Sequence, residues 1–240
     1  MKILAIDTSS IVATCAIMDD DKLIGEYILN QGRTHSQKIM PIIKELLDNC
    51  ELKPEDIDLF AAAKGPGSFT GLRIGIATIK ALAHVNDKKV VGIPTIDALA
   101  FNVPYSKGIV VPMMDARRDR VYSGIYKWES GGLSVIREQD VIEVDELIDI
   151  LNERNERIIV NGDGGNVYRE KLLEGLKNEV VFAPKSCNIA RASSLCELAF
   201  SKVEKGELES YLTLTPQYLR KSQAERQYDE KCGVDNGCNC

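Results

Sequence analysis

The chain has 240 residues, of which 44% are hydrophobic and 28% are charged, a composition typical of a globular protein rather than a disordered or fibrous one. Its 36 acidic and 30 basic residues give a net charge of −6, which argues against tight, unaided binding of nucleic acid. No run approaches the roughly 18 apolar residues of a membrane span, and Asp7 ends the first apolar run too early for a signal peptide. We therefore expect a cytoplasmic protein that has no membrane partner and whose cysteines are reduced.

The first hundred residues predict three strands, a helix, a fourth strand and a long second helix. Apolar runs over 3–6, 11–18 and 23–29 are separated by short polar turns, as in an antiparallel meander. Apolar residues at helical spacing predict a helix over about 36–50. A short strand over 59–63 then leads into a glycine-rich turn, and Ser68 is placed to cap a helix over Phe69–Val85.

The middle of the chain repeats this order of elements. Strands are predicted over 109–114, 121–128 and 133–137, followed by a helix, a strand over 157–160, the glycine-rich turn 162–165 and a helix to about 176. A strand over 180–183 and a helix over 188–205 are expected to close this second half. The pattern therefore predicts two similar α/β lobes, 1–105 and 106–221, followed by a polar, cysteine-containing flexible tail, 222–240.

Duplicated halves of this kind are typical of the actin, hexokinase and Hsp70 class of fold, in which the turn after the first strand of each half approaches a nucleotide phosphate. Asp7, Thr8, Ser9 and Ser10 have the composition of such a phosphate turn and are candidates for a vestigial one, although Asx and Ser/Thr turns are also ordinary strand ends. The second turn carries three arginines, which would crowd a nucleotide. They are candidates for contact with a phosphate backbone or an acidic partner, or they form a solvated cluster: Arg117, Arg118 and Arg120.

The sequence offers no recognisable catalytic or metal constellation. Its two histidines, His35 and His84, have no second histidine or glutamate at helical metal spacing. The glycine-rich turn before Phe69 matches neither a nucleophile elbow nor a phosphate-binding loop of the Walker type. The tail cysteines lack the spacing of a structural zinc site: Cys232, Cys238 and Cys240. We therefore predict no catalytic residue and no metal.

The helix Phe69–Val85 is apolar on two faces. One face has large side chains, and the opposite face has Gly71 and Gly75 together with Thr78 and Leu82. One face is expected to pack on the sheet of its own lobe. The other face, which we assign to the glycines, has to be covered by another segment of the same chain or by a helix of a second chain. The predicted interface comprises Phe69, Gly71, Leu72, Gly75, Ile76, Thr78, Ile79 and Leu82.

Five segments together closely resemble the TsaB (YeaZ) family: 3–9, 35–36, 65–75, 115–117 and 216–220. The run beginning Gly65-Pro66-Gly67-Ser68 is the most specific of them, and the resemblance extends over about 1–220. It implies the two-lobed, actin-like fold. It also implies a role in making the threonylcarbamoyladenosine modification of tRNA next to the anticodon.

The resemblance further implies a non-catalytic dimerisation or scaffold subunit that binds and activates the catalytic paralogue TsaD, with the ATPase TsaE joining through the complex. It implies a homodimer when TsaD is absent, tRNA contact only in the assembly, no tightly bound cofactor, and ATP or ADP only at the complex interface. TsaD has paired metal-binding histidines, whereas here Ile39 stands four residues after His35. The competing interpretation is a metal- or nucleotide-dependent enzyme of the same fold, a peptidase or transferase acting alone.

Overall fold

The computed structural model describes residues 1–30 and 35–220, so the predicted tail and its three cysteines lie outside the described residues. The first sheet has the order β3-β2-β1-β4-β5, in which β1 is antiparallel to β2 and parallel to β4. Its strands are β1 (Ile3–Asp7), β2 (Ala13–Asp19), β3 (Lys22–Leu29), β4 (Leu59–Gly65) and β5 (Lys89–Pro94). β1 is buried on both faces, which explains its uninterrupted apolar run.

The second sheet has the same topology, read as β8-β7-β6-β9-β10. Its central strand is again antiparallel to the strand that follows it and parallel to the fourth strand of its lobe. The strands are β6 (Ile109–Asp115), β7 (Arg120–Glu129), β8 (Gly132–Glu143), β9 (Ile158–Asn161) and β10 (Val180–Phe182). The predicted duplication of an α/β unit is therefore confirmed at the level of sheet topology.

Seven α-helices cover the two sheets within residues 1–30 and 35–220. They are α1 (His35–Asn49), α2 (Phe69–Val85), α3 (Thr95–Phe101), α4 (Val144–Asn152), α5 (Asp163–Val167), α6 (Arg169–Gly175) and α7 (Ala192–Glu204). α1 and α2 bury their apolar stripes on one face of the first sheet, and α4 and α6 do so on the second. None of the described helices has the length and apolarity to cross a membrane.

Two elements of the fold were not predicted from the sequence, and two others were predicted as one helix. β5 and α3 were not predicted, because Pro94 and Thr95 join a short strand to a short helix without an intervening turn. The single helix predicted to end near 176 is divided at Tyr168 into α5 and α6. β8 continues six residues beyond the predicted end at 137, as far as Glu143.

The placement of α7 in the second half was wrong. Its buried residues Leu195, Cys196 and Ala199 pack on the first sheet, on the face opposite α1 and α2. In the other direction, α3 packs Ile96 and Leu99 against residues of β6 and β7. The division at 1–105 and 106–221 therefore does not describe the packing of α7. α3 and the segment before α7 form part of the wall between the two sheets.

Candidate functional site: the cleft between the sheets and helix α2

The turn after β1 is buried and is held by its own hydrogen bonds. The Ser9 amide donates to Asp7 Oδ1 at 2.7 Å, and the Val12 amide donates to Ser10 Oγ at 3.2 Å. Thr8 Oγ1 donates to the carbonyl of Gly71, in the first turn of α2, at 2.7 Å. The Thr8 hydroxyl proton is thus already used in a hydrogen bond within the protein. In contrast, Ser9 Oγ is buried without a hydrogen-bond partner in the described structure. Of the candidate phosphate turn, Asp7, Ser9 and Ser10 line a cavity in the cleft.

The glycines of the specific sequence run allow the backbone of α2 to approach this turn. A Cβ at Gly71 would lie 1.9 Å from the carbonyl oxygen of Thr8, and one at Gly75 would lie 2.5 Å from Thr8 Oγ1. Both distances are far below van der Waals contact, so no side chain larger than hydrogen fits without a shift. The close approach that the glycines permit is internal to the chain.

The expectation that Gly71 and Gly75 face outward is therefore wrong. The buried face of α2 contains both glycines and also Leu72, Ile76 and Ile79. The physical reason is that the turn after β1 packs directly against the backbone of α2 at these positions, where a larger side chain would collide with Thr8. Of the predicted interface residues, Phe69, Thr78 and Leu82 are half-buried. Ser68 caps the helix as predicted, because its Oγ accepts a hydrogen bond from the Gly71 amide at 3.2 Å.

The chain itself covers one flank of α2 with its last described segment. The Tyr218 ring stacks on Phe69 with a centroid separation of 4.0 Å, and its hydroxyl accepts a hydrogen bond from Arg73 Nε at 2.9 Å. Further along the helix, Lys80 Nζ donates to the carbonyl of Leu214 at 3.1 Å. Sequence reasoning missed this cover, although the motif around Tyr218 was among those that carried the family resemblance. What remains outward on α2 is a narrower strip than predicted.

The second turn, between β6 and β7, presents exposed arginines. The Arg117 amide donates to Asp115 Oδ1 at 2.8 Å, and residues 117–119 all adopt positive φ angles. Arg120 forms a salt bridge with Glu143 at 2.8 Å. The side chains of Arg117 and Arg118 lie on the surface of the second lobe, and the role proposed for the three arginines stays a prediction.

A cavity of about 200 Å³ lies in the cleft between the two sheets. The first lobe contributes Asp7, Ser9 and Thr95, and Asp163 faces it from the start of α5 in the second lobe. Thr95 Oγ1, like Ser9 Oγ, is buried and has no partner among the described residues. Burial raises the pKa of the Asp163 carboxyl, although the backbone amides of Asp115 and Gly164 donate to it. Neither Thr95 nor Asp163 was singled out from the sequence.

No group of three or more potential metal ligands occurs among residues 1–30 and 35–220, with the His35 side chain outside that description. His84 is exposed near the end of α2, and its ring lies 4.9 Å from that of Tyr211. The buried thiols of Cys15 and Cys196 have raised pKa values because of desolvation, so they are poor nucleophiles.

Two sheets of identical order around a cleft define a protein of the actin-like class that includes the hexokinases. The family of tRNA N6-adenosine threonylcarbamoyltransferase, TsaD, matches residues 22–228. The tRNA threonylcarbamoyladenosine biosynthesis protein TsaB of Bacillus subtilis is 34% identical over 231 residues, 96% of this chain and 99% of its own length. The TsaB protein of Escherichia coli is 26% identical over 93% of this chain and 96% of its own length.

The structure of YeaZ from Pseudomonas aeruginosa superimposes with a TM-score of 0.78 at 25% identity, covering 91% of this chain and 99% of that one. Together these likenesses show that the chain belongs to the TsaB (YeaZ) family, within the wider group that the TsaD family describes.

Proposed function

We propose that this chain is a non-catalytic subunit of tRNA threonylcarbamoyladenosine biosynthesis that binds and activates TsaD through the outward strip of α2. The names of the B. subtilis and E. coli relatives support the pathway. The observation that carries the proposal is the exposed apolar side of α2, here called the outward strip, because it offers a surface for a partner helix. It consists of the exposed Ala77, Ala81 and Val85 together with the half-buried Thr78 and Ile74, and Ile74 also packs against the core of the first lobe.

The outward strip has the spacing of a helix that packs against another helix. Ile74, Ala77, Ala81 and Val85 follow one another at intervals of three or four residues, and Thr78 lies four residues after Ile74, which places all five on one side of α2. Ala77 and Ala81 are exposed, and Val85 is 82% exposed. Their small side chains permit a close interhelical distance.

The outward strip replaces Gly71 and Gly75 as the partner surface, and Thr78 is the residue that it shares with the interface predicted from the sequence. An apolar helix surface of this kind is rarely left in water. We infer that a second copy of the chain covers it when TsaD is absent, so that the homodimer and the heterodimer exclude each other. TsaE joins through the complex.

The chemistry of the cleft supports a subunit that does not catalyse the reaction alone. The threonine of the turn after β1 uses its hydroxyl to bind α2, and the corresponding turn of the second lobe carries arginines instead of glycine and small hydroxyl residues. Any ATP or ADP is expected at the interface of the assembly, and tRNA is expected to bind the assembly rather than this chain.

The test is the substitution Ala81→Arg, which adds a long charged side chain at the centre of the outward strip. Overpacking of a close contact costs about 1–3 kcal/mol, which corresponds to about a ten- to hundredfold loss of affinity. Self-association is measured by sedimentation, and binding of the cognate TsaD by calorimetry. The matched control is Ser201→Arg, an exposed position on α7, away from the outward strip.

We expect Ala81→Arg to fold normally, to be monomeric and to lose both TsaD binding and its stimulation of tRNA modification. Ser201→Arg should behave as the wild type. Wild-type affinity for TsaD in a well-folded Ala81→Arg variant would show that the interface lies on another surface. Robust tRNA modification or peptide hydrolysis by the purified chain alone would favour the enzyme interpretation instead.

A further inference from the structure

One edge of the outward strip is lined by cationic side chains. Arg73 lies four residues before Ala77 and Lys80 lies three residues after it, so both are neighbours of the outward strip on the surface of α2. The segment 210–220 runs along their other side and forms hydrogen bonds with both. We call Arg73 and Lys80 the basic edge.

Two aromatic rings hold the guanidinium of the basic edge in place. The Arg73 Cζ atom lies 6.0 Å from the ring centroid of Phe69 and 5.8 Å from that of Tyr218. Its Nε donates to the Tyr218 hydroxyl, whereas its Nη atoms have no acceptor among residues 1–30 and 35–220. Arg73 is exposed. A guanidinium that is already positioned loses little conformational entropy when it pairs with an anion.

The positive charge of the basic edge is not neutralised by its own surroundings. Lys80 donates to the carbonyls of Leu212 and Leu214, which hold its ammonium group without cancelling the charge. α2 and the segment 210–220 contain no aspartate or glutamate, although 36 of the 240 residues of the chain are acidic. This edge is therefore locally basic on a chain whose net charge is −6.

The charge and the adjoining apolar surface together restrict what can bind. An apolar helix face would bury the outward strip, whereas a phosphate backbone would leave Ala77 and Val85 in water. A carboxylate beside such a helix face can accept two hydrogen bonds from Arg73 in the bidentate geometry that guanidinium groups favour. A second copy of the chain that packs α2 on α2 brings no carboxylate from that helix. The surface therefore fits a different chain better than it fits itself.

We propose that the basic edge selects the partner of the outward strip by pairing with carboxylates that border an apolar stripe on a helix of TsaD. This inference rests on the proposed function and adds the charge pattern that the partner helix carries. Charges at the rim of an interface act mainly on the association rate and on its salt dependence. The basic edge thus favours the heterodimer over the homodimer through the rate at which TsaD is captured.

Salt separates the two assemblies. The association rate of the full chain with the cognate TsaD is measured on a sensor surface between about 50 and about 500 mM salt, and self-association is measured by sedimentation over the same range. We expect the association rate with TsaD to fall about tenfold across this range. Self-association should not weaken, because the α2 helices of two copies bring no opposite charges together.

Four variants locate the effect, and their folding is checked by circular dichroism. Arg73→Glu should slow association with TsaD about tenfold at low salt and flatten the salt dependence, whereas Arg73→Lys should keep the salt dependence of the wild type. Tyr218→Leu removes the ring that positions Arg73 but keeps the charge, so it should also keep that salt dependence. Lys177→Glu, at an exposed position after α6, makes the same charge change away from α2 and should associate as the wild type.

The inference is overturned if TsaD associates at a rate independent of salt, or if Arg73→Glu associates at the wild-type rate. It is also overturned if self-association weakens with salt as steeply as TsaD binding does, because a second copy then supplies the opposite charges. Loss of tRNA binding by an assembly that contains Arg73→Glu, with TsaD association unchanged, would assign the basic edge to nucleic acid instead.

The variant Ala81→Arg distinguishes failure of this inference from failure of the proposed function. Loss of TsaD binding in Ala81→Arg together with wild-type association of Arg73→Glu would refute the role of the basic edge and leave the outward strip as the interface. Wild-type binding of TsaD by Ala81→Arg would refute both.

Discussion

The contact between the turn after β1 and the inner face of α2 makes a specific prediction about Thr8. Gly75 and Gly71 both lie against this residue, but they meet different atoms. An alanine at 75 would place its Cβ 2.5 Å from the Thr8 side-chain oxygen, whereas an alanine at 71 would place it 1.9 Å from the Thr8 backbone oxygen. Removing the Thr8 side chain should therefore relieve the first clash and leave the second.

The magnitudes follow from two opposing effects. Replacing glycine by alanine inside a helix stabilises it by about 1 kcal/mol, and overpacking a tight contact destabilises by about 1–3 kcal/mol. We expect Gly75→Ala to destabilise the protein by about 1 kcal/mol and Gly71→Ala by about 2 kcal/mol or more. Thr8→Ala alone should cost about 1 kcal/mol through loss of the hydrogen bond to Gly71. In the Thr8→Ala background, Gly75→Ala should become neutral or stabilising, a coupling of about 1–2 kcal/mol.

The measurement is the free energy of unfolding from urea titrations of the single and double variants. Gly131→Ala is the steric control, because no atom lies within 4 Å of its ideal Cβ, and it should change stability by less than about 0.5 kcal/mol. Ala77→Gly is the helix-propensity control on the outward strip, with an expected loss of about 1 kcal/mol. Equal coupling of Thr8→Ala to both glycine variants, or none to either, would refute the described packing.

Two further predictions concern charged groups. Burial raises the pKa of the Asp97 carboxyl, which accepts a hydrogen bond from the Tyr126 hydroxyl at 2.7 Å. The folded state therefore binds the carboxyl proton of Asp97 more tightly than the unfolded state does. As a result, the contribution of Asp97 to stability falls as the pH rises above the ordinary pKa of an aspartate. The stability of Asp97→Asn relative to the wild type should therefore increase from about pH 4 toward neutrality in urea titrations, and a constant difference would contradict the assignment. In the assembly with TsaD, Arg117→Ala combined with Arg118→Ala should weaken tRNA binding and reduce its salt dependence, measured by filter binding across a salt series. Arg120→Ala should have a smaller effect because Arg120 is already paired with Glu143. Unchanged tRNA affinity and salt dependence in the double variant would argue against this turn as the tRNA contact.

The repeated order of three strands, a helix and a fourth strand was predictable because each central strand is an uninterrupted apolar run between polar turns. β5 and α3 were not, since Val90, Val91 and Ile93 form a short run that passes through Pro94 directly into a helix. The missing turn residues removed the signal on which the prediction depended. A proline just before a helix start was the remaining sign that an element begins there.

Packing between distant segments explains the other errors. The apolar stripe of α7 shows that the helix is buried on one side, but nothing in its sequence says which of two similar sheets it covers. The cavity illustrates the same limit, because Thr95 and Asp163 come from elements 68 residues apart that only the fold brings together. Asp7 and Ser9 were accessible to sequence reasoning because they follow the first strand directly.

The two faces of α2 show how residue size can be misread on a helical wheel. Glycine was assigned to the external contact because close approach between helices needs small residues. In this fold the closest approach is instead to a backbone turn of the same chain, where even a methyl group does not fit. The outward strip instead has alanine at its two most central exposed positions, Ala77 and Ala81, which still allows helices to pack closely and keeps the helix stable. Because Thr8 hydrogen-bonds α2, the position of the outward strip is fixed relative to the turn that borders the cleft.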